Sequence, residues 1–269
     1  MPSKSSRAAH NRKATARGRM DEPADPSCAT TVAHGMDLLA AFRADESGVT
    51  NGELAARTGL SRPTVSRLGG TLVKLGYLRR DAAGRYRLGG RILAVAYPLL
   101  AGLRIRQVAR PLMRDFAASA GGVVSIAMPL GLNFIYLETV RATETAPHVP
   151  EVGFSAPLAS TAIGRALLSL YTKAEFAAYV DEMNARQPDE WKRLKRNVLA
   201  AVDSCRTAGY CVALAEWRSE MYGVAAPLYR NSDGDCIAVN CGIPSFRLRA
   251  EQVESEWGPR MLGLARNIR

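Results

Sequence analysis

The spacing of apolar and polar positions in residues 50–88 predicts two short helices followed by a hairpin. In the first helix, Leu54 and Ala55 lie on the inward side, and Thr50 with Glu53 three residues later forms the pattern of a capping box. In the second helix, helical spacing predicts one buried stripe made of Val65, Leu68, Leu72 and Leu75. The two apolar patterns indicate a helix pair that packs around a small common core.

Small polar residues, glycines and a proline set the ends of this helix pair. Gly59 closes the turn between the helices, and Ser61 is the expected N-cap of the second one. Pro63 falls in the first turn, where a missing amide hydrogen does no harm, and Gly76 ends the helix. Once the apolar stripe is buried, the opposite face of the second helix carries Arg62, Ser66, Arg67 and Gly70.

A basic hairpin follows the helix pair directly. Residues 77–80 and 85–88 are predicted strands around a turn at residues 81–84, and they carry Arg79, Arg80, Arg85 and Arg87. Guanidinium groups in this number suit phosphate contact, because each neutralised phosphate releases condensed counterions. The order of helix, turn, helix and hairpin is that of a winged helix-turn-helix, whose second helix lies in the major groove of duplex DNA.

The candidate DNA-binding residues come from the second helix and the hairpin. They are Ser61, Arg62, Thr64, Ser66, Arg67, Arg79, Arg80, Arg85 and Arg87. The alternative is that the charges form only a solvated face, but cap, turn, apolar stripe and basic hairpin agree in order and spacing. The charge distribution also favours DNA: residues 1–90 hold 15 Lys and Arg against 8 Asp and Glu, within a formal net charge of +11.

The segments before this motif are a helix and a basic arm. Residues 31–42 predict a helix whose buried stripe consists of Val32, Met36, Leu39 and Ala40. Residues 1–27 contain almost no large apolar side chains, so we expect a disordered arm. Its six cations either add attraction to phosphate or only keep the chain soluble; they are Lys4, Arg7, Arg12, Lys13, Arg17 and Arg19.

A long apolar pattern at helical spacing follows the hairpin. We expect a linking helix over residues 91–102 and the first helix of a second domain over residues 105–119, with a kink or restart at Pro111. The apolar face of the linker belongs to neither core, and pairing with its copy in a homodimer would cover it. A symmetric dimer also suits a palindromic DNA site.

The remainder of the chain alternates strand and helix patterns. A hairpin is predicted from residues 123–128 and 134–140, with its turn at residues 131–133 and a further extended piece at residues 148–154. Helices are expected over residues 160–171, from residue 172 onward, and over residues 188–208 and 249–268. Strands are expected over residues 210–215, 223–229 and 236–241. This pattern predicts an α+β domain, with helices flanking a mostly antiparallel sheet.

The composition argues against several other classes of protein. Of the 269 residues, 47% are hydrophobic and 23% are charged, as in ordinary soluble globular proteins. The longest apolar run, residues 92–103, is too short to span a bilayer and contains Pro98, and the N-terminus lacks an apolar signal core. We therefore expect a cytoplasmic protein with no membrane partner.

Neither the cysteines nor the histidines indicate catalysis or metal binding. The five cysteines form no C-x-x-C pair and have no neighbouring histidine; they are Cys28, Cys205, Cys211, Cys236 and Cys241. We interpret them as buried thiols, with a redox pair among the last three as the alternative. Motifs of hydrolases, metalloproteases and nucleotide-binding proteins are absent from the sequence, so we expect no catalytic residue, no metal and no cofactor.

Four segments in this order resemble the IclR family of bacterial transcriptional regulators over about residues 29–268. They are the winged-helix segments ELAARTGLSRPTVSRL and LGYLRRDAAGRYRLGGRIL, the segment PLASTAIGRALLS, the segment GYCVALAE, and Ala225, Ala226, Pro227 with the turn residue Gly234. The resemblance implies a GAF-like effector-binding domain, a homodimer or dimer of dimers, and control by a small metabolite, often an aromatic or aliphatic acid. We therefore expect four parts: a disordered arm (1–27), a winged helix-turn-helix domain (28–90), a linker helix (91–103) and an effector-binding domain of the IclR type (104–269).

The chain departs from the family pattern at several positions. Arg165 stands where the family usually has Lys, which keeps the charge but changes the donor geometry. Gly69 and Gly70 replace bulkier residues in the second helix, at a cost of up to about 1 kcal/mol each relative to Ala. We expect them to loosen that helix or to let DNA approach closely. Glu220 and Gly223 stand where Gly and Cys are common, so effector specificity does not transfer from the family.

The resemblance also implies where an effector binds. The helix start at Ser160 and Thr161 is the candidate for capturing an anion, since free amides and the helix dipole favour a carboxylate; plain N-capping is the alternative. The implied lining residues are Ser125, Met128, Tyr136, Ser160, Thr161, Ala162, Gly164, Trp217, Met221, Asn240 and Cys241. Glu216 either orients a polar effector or pairs with an arginine.

The expected function is a DNA-binding transcriptional regulator, a repressor in preference to an activator. Its partners are a double-stranded DNA operator and a small organic acid that controls operator affinity from the C-terminal domain. The alternative is a DNA-anchored metabolic enzyme, or a dimerisation module without an effector response.

Overall fold

A computed structural model of the chain describes residues 28–44, 46–142 and 151–269. The described residues form two compact units, one ending at Leu103 and the other beginning at Arg104. The arm predicted for residues 1–27 and part of the extended piece predicted for residues 148–154 lie outside the described residues.

The first unit contains three helices, a two-stranded hairpin and a fourth helix. These are α1 (Thr30–Ala40), α2 (Asn51–Thr58), α3 (Arg62–Lys74), β1 (Leu78–Arg80), β2 (Tyr86–Leu88) and α4 (Arg91–Gly102). Thr50 and Glu53 form a complete capping box at the start of α2, and Gly59 ends that helix with a φ of 71°. The Ser61 hydroxyl accepts a hydrogen bond from the Thr64 N–H and caps α3. The predicted helix-turn-helix and its hairpin are therefore confirmed.

The core of this unit differs from the predicted apolar stripes in two places. In α1, Leu38 is fully buried and Leu39 packs against the same core, whereas Val32 and Met36 are 60% and 61% exposed, so the predicted stripe is wrong at these two residues. In α3 the predicted stripe is buried at Val65 but exposed at Leu75, because Leu75 lies beyond the last helical residue. Apolar side chains of this unit thus remain at its surface.

The second unit is built on one six-stranded sheet. Its elements are α5 (Ile105–Ala120), β3 (Val123–Leu130), β4 (Asn133–Arg141), β5 (Ser155–Pro157), α6 (Ala162–Leu168), α7 (Lys173–Arg186), α8 (Pro188–Thr207), β6 (Cys211–Leu214), β7 (Met221–Arg230), β8 (Cys236–Pro244), α9 (Ala250–Gln252) and α10 (Gly258–Ile268). The strand order is β5-β4-β3-β8-β7-β6, and each neighbouring pair is antiparallel. This confirms the predicted α+β class with a mostly antiparallel sheet.

Helices cover both faces of this sheet. One face of the sheet, which we call the α6 face, packs against α6, α7 and α8 and buries Phe134 and Tyr136 of β4. The opposite face, which we call the α5 face, packs against α5 and α10, where Met113 and Met261 are fully buried. Because successive side chains of a strand point to opposite faces, the residues of each strand divide between these two layers.

Several predicted boundaries shift in the structure. α5 continues through Pro111 as one helix, so the restart considered at that residue is wrong. The helix predicted to reach residue 171 ends at Leu168, and a π-helical turn, Val253–Trp257, interrupts the predicted C-terminal helix. The strand Ser155–Pro157, which pairs with β4, begins directly after the extended piece predicted for residues 148–154. Sequence patterns locate such ends only to within a few residues, because helix ends fray and the last turn varies.

Four cysteines are buried, as predicted, whereas Cys28 is exposed. Cys205 and Cys211 are neighbours in space, a pair that the sequence analysis did not single out. The hydrogen bond to Cys205 and burial hold the pKa of Cys211 well above its usual range. A thiol in this environment is a poor nucleophile, because the thiolate is the reactive form.

No single helix in the described part of the chain is long and apolar enough to cross a membrane. α4 and α5 meet that requirement only when they are counted together across the break between them.

Candidate DNA-binding and effector-binding sites

The outer face of α3 carries the side chains predicted to read bases. Arg62, Ser66 and Arg67 are exposed, and the two arginines form no ion pair within the described residues. The hydroxyl groups of Ser61 and Thr64 lie 2.8 Å apart at the N-cap, where they stabilise the helix end. Two guanidinium groups on this face are therefore available to an anionic partner.

Gly69 lies where α3 meets the hairpin. A Cβ atom built on Gly69 would lie 2.7 Å from Cζ of Tyr86, a fully buried residue whose hydroxyl accepts a 2.7 Å hydrogen bond from Arg80. The glycine thus allows the hairpin tyrosine to pack against α3. Gly70 has open space around the same position. The close approach that Gly69 permits is therefore to the hairpin tyrosine, and the expectation that the two glycines loosen the helix stays a prediction.

The four hairpin arginines divide into two pairs. Arg80 stacks on the ring of the buried tyrosine, 4.5 Å from its centroid, and Arg85 forms an ion pair with Asp81 at 3.0 Å. Arg79 and Arg87 lie directly opposite each other in the antiparallel register, and neither forms an ion pair among the described residues. Like charges at opposed positions destabilise a hairpin, and an anion bound between them would relieve the repulsion.

In the second unit, three polar side chains meet on the α6 face of the sheet. Ser125 and Asn240 are partners across β3 and β8, and the Tyr136 hydroxyl is hydrogen-bonded to both side chains. All three are at least nine-tenths buried, and burial raises the pKa of Tyr136 to about 12, so this phenol stays neutral. Oδ1 of Asn240 has no hydrogen-bond partner among the described residues. This Ser–Tyr–Asn group therefore contains one buried acceptor that the fold leaves unused.

Aromatic rings border the Ser–Tyr–Asn group. The ring centroids of Phe134 and Tyr136 are 5.0 Å apart, and Phe154 stacks on Tyr136 at 6.0 Å. Trp217 lies 6.0 Å beyond Phe154, and the guanidinium of Arg218 lies 4.4 Å from the Trp217 ring centroid. The charge of Arg218 also acts on the Tyr136 hydroxyl. Apolar ring surface, an unused acceptor and a cation thus lie in one region.

The start of α6 is occupied by its own capping interactions. The Thr161 hydroxyl accepts a hydrogen bond from the Gly164 N–H at 3.2 Å and donates one to the Pro157 carbonyl at 2.9 Å. Ala162 packs over Gly223, where a built Cβ would lie 3.1 Å from the alanine methyl group. Plain N-capping therefore accounts for Thr161, and Ser160 beside it is buried.

Arg165 and Glu216 form a bidentate ion pair beside this helix. Nη1 and Nη2 of Arg165 donate to the two carboxylate oxygens at 2.7 and 2.5 Å, and Asn197 of α8 donates a third hydrogen bond at 2.8 Å. Burial acts to raise the pKa of Glu216, but the hydrogen bonds from Arg165 and Asn197 outweigh it, so the pKa lies below its ordinary value. Of the two roles predicted for Glu216, pairing with an arginine is the one that the structure shows.

Met221 and Gly164 are two further predicted lining residues. Met221 is on the α6 face, with its Cε 3.0 Å from a Cβ built on Gly242. A Cβ on Gly164 would lie 2.2 Å from the Leu158 carbonyl oxygen, so this glycine serves the packing of α6 against its own N-terminal loop.

The structure does not bring Met128 and Cys241 to the Ser–Tyr–Asn group. Cys241 follows Asn240 in β8, so its side chain is on the α5 face, where it is fully buried. Met128 pairs with Ile135 and lines a separate surface cavity of about 390 Å³ beside α7.

A winged helix-turn-helix joined to an α+β domain with a buried polar group defines a class of protein: a DNA-binding transcriptional regulator with an effector-binding domain. Comparison with known families agrees. Residues 31–82 match the profile of the IclR helix-turn-helix domain, and residues 98–269 match that of the bacterial transcriptional regulator IclR C-terminal domain. The chain belongs to the IclR family.

Individual relatives are similar to this chain over most of its length. The HTH-type transcriptional regulator KipR of Bacillus subtilis is 28% identical over 81% of this chain and 87% of its own length. The crystal structure of an IclR family transcriptional regulator from Brucella abortus is 36% identical, with a TM-score of 0.81 over 92% of this chain and 94% of that one. An IclR homolog from Microbacterium hydrocarbonoxydans, crystallised with 4-hydroxybenzoate, is 21% identical, with a TM-score of 0.70 over 88% and 97% of the two chains. The family consists of regulators rather than enzymes.

Proposed function

We propose that this regulator is a repressor that binds a palindromic operator as a homodimer, and that a small organic acid in the effector domain (residues 104–269) controls its operator affinity. Repression requires only that the bound winged helix block a promoter. The observation that carries the effector proposal is the unused, buried acceptor of Asn240 beside apolar rings and a cation. For a regulator that acts on chromosomal DNA, we propose a cytoplasmic location.

The proposed DNA interface assigns different tasks to α3 and the hairpin. Arg62 and Arg67 on the exposed face of α3 reach base edges, because bidentate guanidinium contacts to guanine are the commonest specific contact. Arg79 and Arg87 contact phosphates, since the fold leaves their opposed charges unneutralised.

Replacing Arg67 with alanine is expected to weaken operator binding by about 1 to 3 kcal/mol and to relax specificity at one base position. The free energy of unfolding should hardly change, because the side chain is exposed and has no ionic partner among the described residues.

Arg79→Ala should instead weaken binding to all duplexes alike and lower the slope of log affinity against log salt concentration by about one. Fluorescence anisotropy with duplexes from upstream of the protein's own gene measures both effects.

The control for these variants is Arg193→Ala, which removes a 62% exposed arginine from the effector domain and should leave DNA binding unchanged. A large loss of stability in Arg67→Ala would show that this side chain is structural, against the proposal. An Arg79→Ala effect confined to one base position would contradict the phosphate role.

The homodimer proposal rests on apolar side chains that the first unit leaves exposed. α4 contains no buried residue, and its large apolar side chains are 55 to 75% exposed at Leu93, Val95, Tyr97 and Leu99. Val32 and Met36 of α1 are exposed as well. A second copy of the chain is the occupant that suits both this surface and a palindromic site. Sedimentation of the protein as a monomer at micromolar concentration would contradict the proposal.

The effector chemistry follows from the groups around Asn240. An effector that donates a hydrogen bond to Oδ1 satisfies an acceptor whose burial without a partner is costly. Its body packs on the rings of Phe154 and Trp217, and its carboxylate faces Arg218. We therefore propose a flat or apolar acid that carries a hydroxyl group.

Matched pairs of acids test this proposal. 4-Hydroxybenzoate against benzoate, and lactate against propionate, compare a hydroxyl-bearing compound with its analogue. We expect at least one hydroxyl-bearing member to bind about tenfold more tightly than its partner, from about 1.4 kcal/mol for one hydrogen bond. Asn240→Leu, which keeps the branching and the number of side-chain heavy atoms but loses the amide, should abolish that preference. Isothermal titration calorimetry measures both affinities.

The control is Cys241→Ala, the next residue of β8, whose side chain is on the opposite face of the sheet. This variant should keep the preference for the hydroxyl group. Equal affinities for the members of every pair in the wild-type protein would contradict the role of Asn240.

Linkage separates the proposed regulator from a dimerisation module without an effector response and from an enzyme. A compound that lowers operator affinity must itself bind less tightly in the presence of operator, by the same factor. A module would show no such change, and an enzyme would consume the compound.

A further inference from the structure

We propose that Glu138 is a positioning residue that couples the effector site to α5, the helix that directly follows the linker. The inference rests on the proposed function, because it assigns a regulatory route to the same effector site. It depends on a continuous series of side-chain contacts that starts at the Ser–Tyr–Asn group and crosses the sheet.

The first part of this route lies on the α6 face. The Tyr136 hydroxyl is hydrogen-bonded to Ser125, and the Ser125 hydroxyl lies 3.1 Å from that of Thr139, its direct partner across β3 and β4. A change in the hydrogen bonding of Asn240 or Tyr136 therefore acts on Thr139 through one intervening hydroxyl group.

The second part crosses to the α5 face. The backbone N–H of Thr139 donates to Oε1 of Glu138 at 3.2 Å. The Glu138 carboxylate is buried, with its residue 4% exposed, and it lies 3.2 Å from Nη2 of Arg106 and 3.7 Å from Nη1 of Arg110. Both arginines belong to α5, so one buried carboxylate connects the β4 backbone with the first two turns of that helix.

The backbone of β4 is irregular between the two parts of this route. Ile126 pairs with Glu138, but the next residue, Ala127, pairs with Tyr136, so the register shifts there and one residue of β4 is extra. A bulge is a place where a strand bends locally and re-aims its side chains. A small displacement at Tyr136 can thus change the direction of the Glu138 carboxylate.

The target of the route is the point where α5 begins. α4 ends at Gly102 and α5 begins at Ile105, so only Leu103 and Arg104 intervene between the linker helix and the helix that Glu138 anchors. A shift of α5 therefore acts directly on the linker of the DNA-binding unit through the covalent chain. Two residues leave little slack to absorb that movement.

The test is a double-mutant cycle between two residues that do not pair with each other. Ser125→Ala alters the α6 side of the route, and Glu138→Gln removes the charge that holds α5. Amide hydrogen exchange of residues 105–120, measured by mass spectrometry on the full chain, reports on α5. We expect Ser125→Ala to change this exchange about fivefold in the wild-type background and to have no effect on it in the Glu138→Gln background.

A merely structural role of Glu138 gives a different result. In that case Glu138→Gln would speed exchange in α5, while Ser125→Ala would leave α5 unchanged or act additively in both backgrounds; either outcome overturns the proposal. The control is Glu182→Gln, which changes the charge of an exposed i,i+4 pair on α7, away from the route. The effect of Ser125→Ala on exchange in α5 should be the same with and without this substitution.

Operator affinity, measured on the same four proteins, gives a second readout. The coupling predicts that Ser125→Ala changes affinity about fivefold only when Glu138 is present. If the wild-type protein binds no duplex at all, the proposed function fails, whereas the exchange measurement still decides whether Ser125 and α5 are coupled.

Discussion

Replacing Glu216 with alanine is expected to lower the free energy of unfolding of the effector domain by about 3 to 5 kcal/mol. The substitution leaves the guanidinium of Arg165, 1% exposed, without its carboxylate, and removal of one member of a buried ion pair costs about this much. It also removes the acceptor of Asn197 and so disconnects α6, α8 and the segment that carries Trp217. Chemical denaturation followed by tryptophan fluorescence measures the loss.

Glu182→Ala is the matched control for this variant. It removes a glutamate from an exposed i,i+4 pair with Arg186 and should cost less than about 0.5 kcal/mol. The pKa of Glu216 lies below its ordinary value, so its contribution is complete above about pH 4.5 and is lost as the pH falls through the lower, folded-state pKa. Glu216→Ala should lack this part of the acid dependence. Equal stability of the two variants would show that the Arg165 pair contributes little.

Replacing Gly69 with alanine is expected to destabilise the winged helix by about 1 to 3 kcal/mol, the usual cost of overpacking a core. The new methyl group would lie 2.7 Å from a ring carbon of Tyr86, and both residues are buried. The hairpin must move away from α3 to relieve this contact, so operator affinity should fall as well. Thermal unfolding and anisotropy measure the two effects.

Gly70→Ala is an unusually close control, because the two glycines are adjacent in α3. Among the described residues, no atom outside the surrounding helix backbone lies within 4 Å of a Cβ built on Gly70, and alanine has the higher helix propensity, so stability should rise by up to about 1 kcal/mol. If both substitutions were stabilising, the contact between α3 and the hairpin would not be the reason for Gly69.

The structure explains the arginine at position 165, where the family usually has lysine. A lysine at this position would present a single ammonium group to Glu216. The guanidinium instead donates to both carboxylate oxygens and, through Nε, to the Ala159 carbonyl at 2.9 Å. The arginine thereby fixes α6 against the loop before it.

Three residues that border the Ser–Tyr–Asn group were not predicted from the sequence. Phe134 follows from alternation, because it is two residues before Tyr136 in the same strand and shares its face. Phe154 and Arg218 had no such signal: Phe154 lies outside the regular strands, and the position of Arg218 depends on its stacking over Trp217. Alternation likewise separates Cys241 from Asn240, a consequence of strand geometry that the list of lining residues overlooked.

The sequence by itself determined the order of the elements, the helix caps at Thr50 and Ser61, the turn at Gly59 and the winged helix-turn-helix. These features depend on residues within about four positions of one another, where capping, turn chemistry and helical spacing operate. Only the tertiary structure decided that Gly69 accommodates Tyr86 and that Arg165 pairs with a glutamate 51 residues away. It also decided which side chains share a face of the sheet, because strand register and the bulge in β4 bring together residues that no local pattern connects.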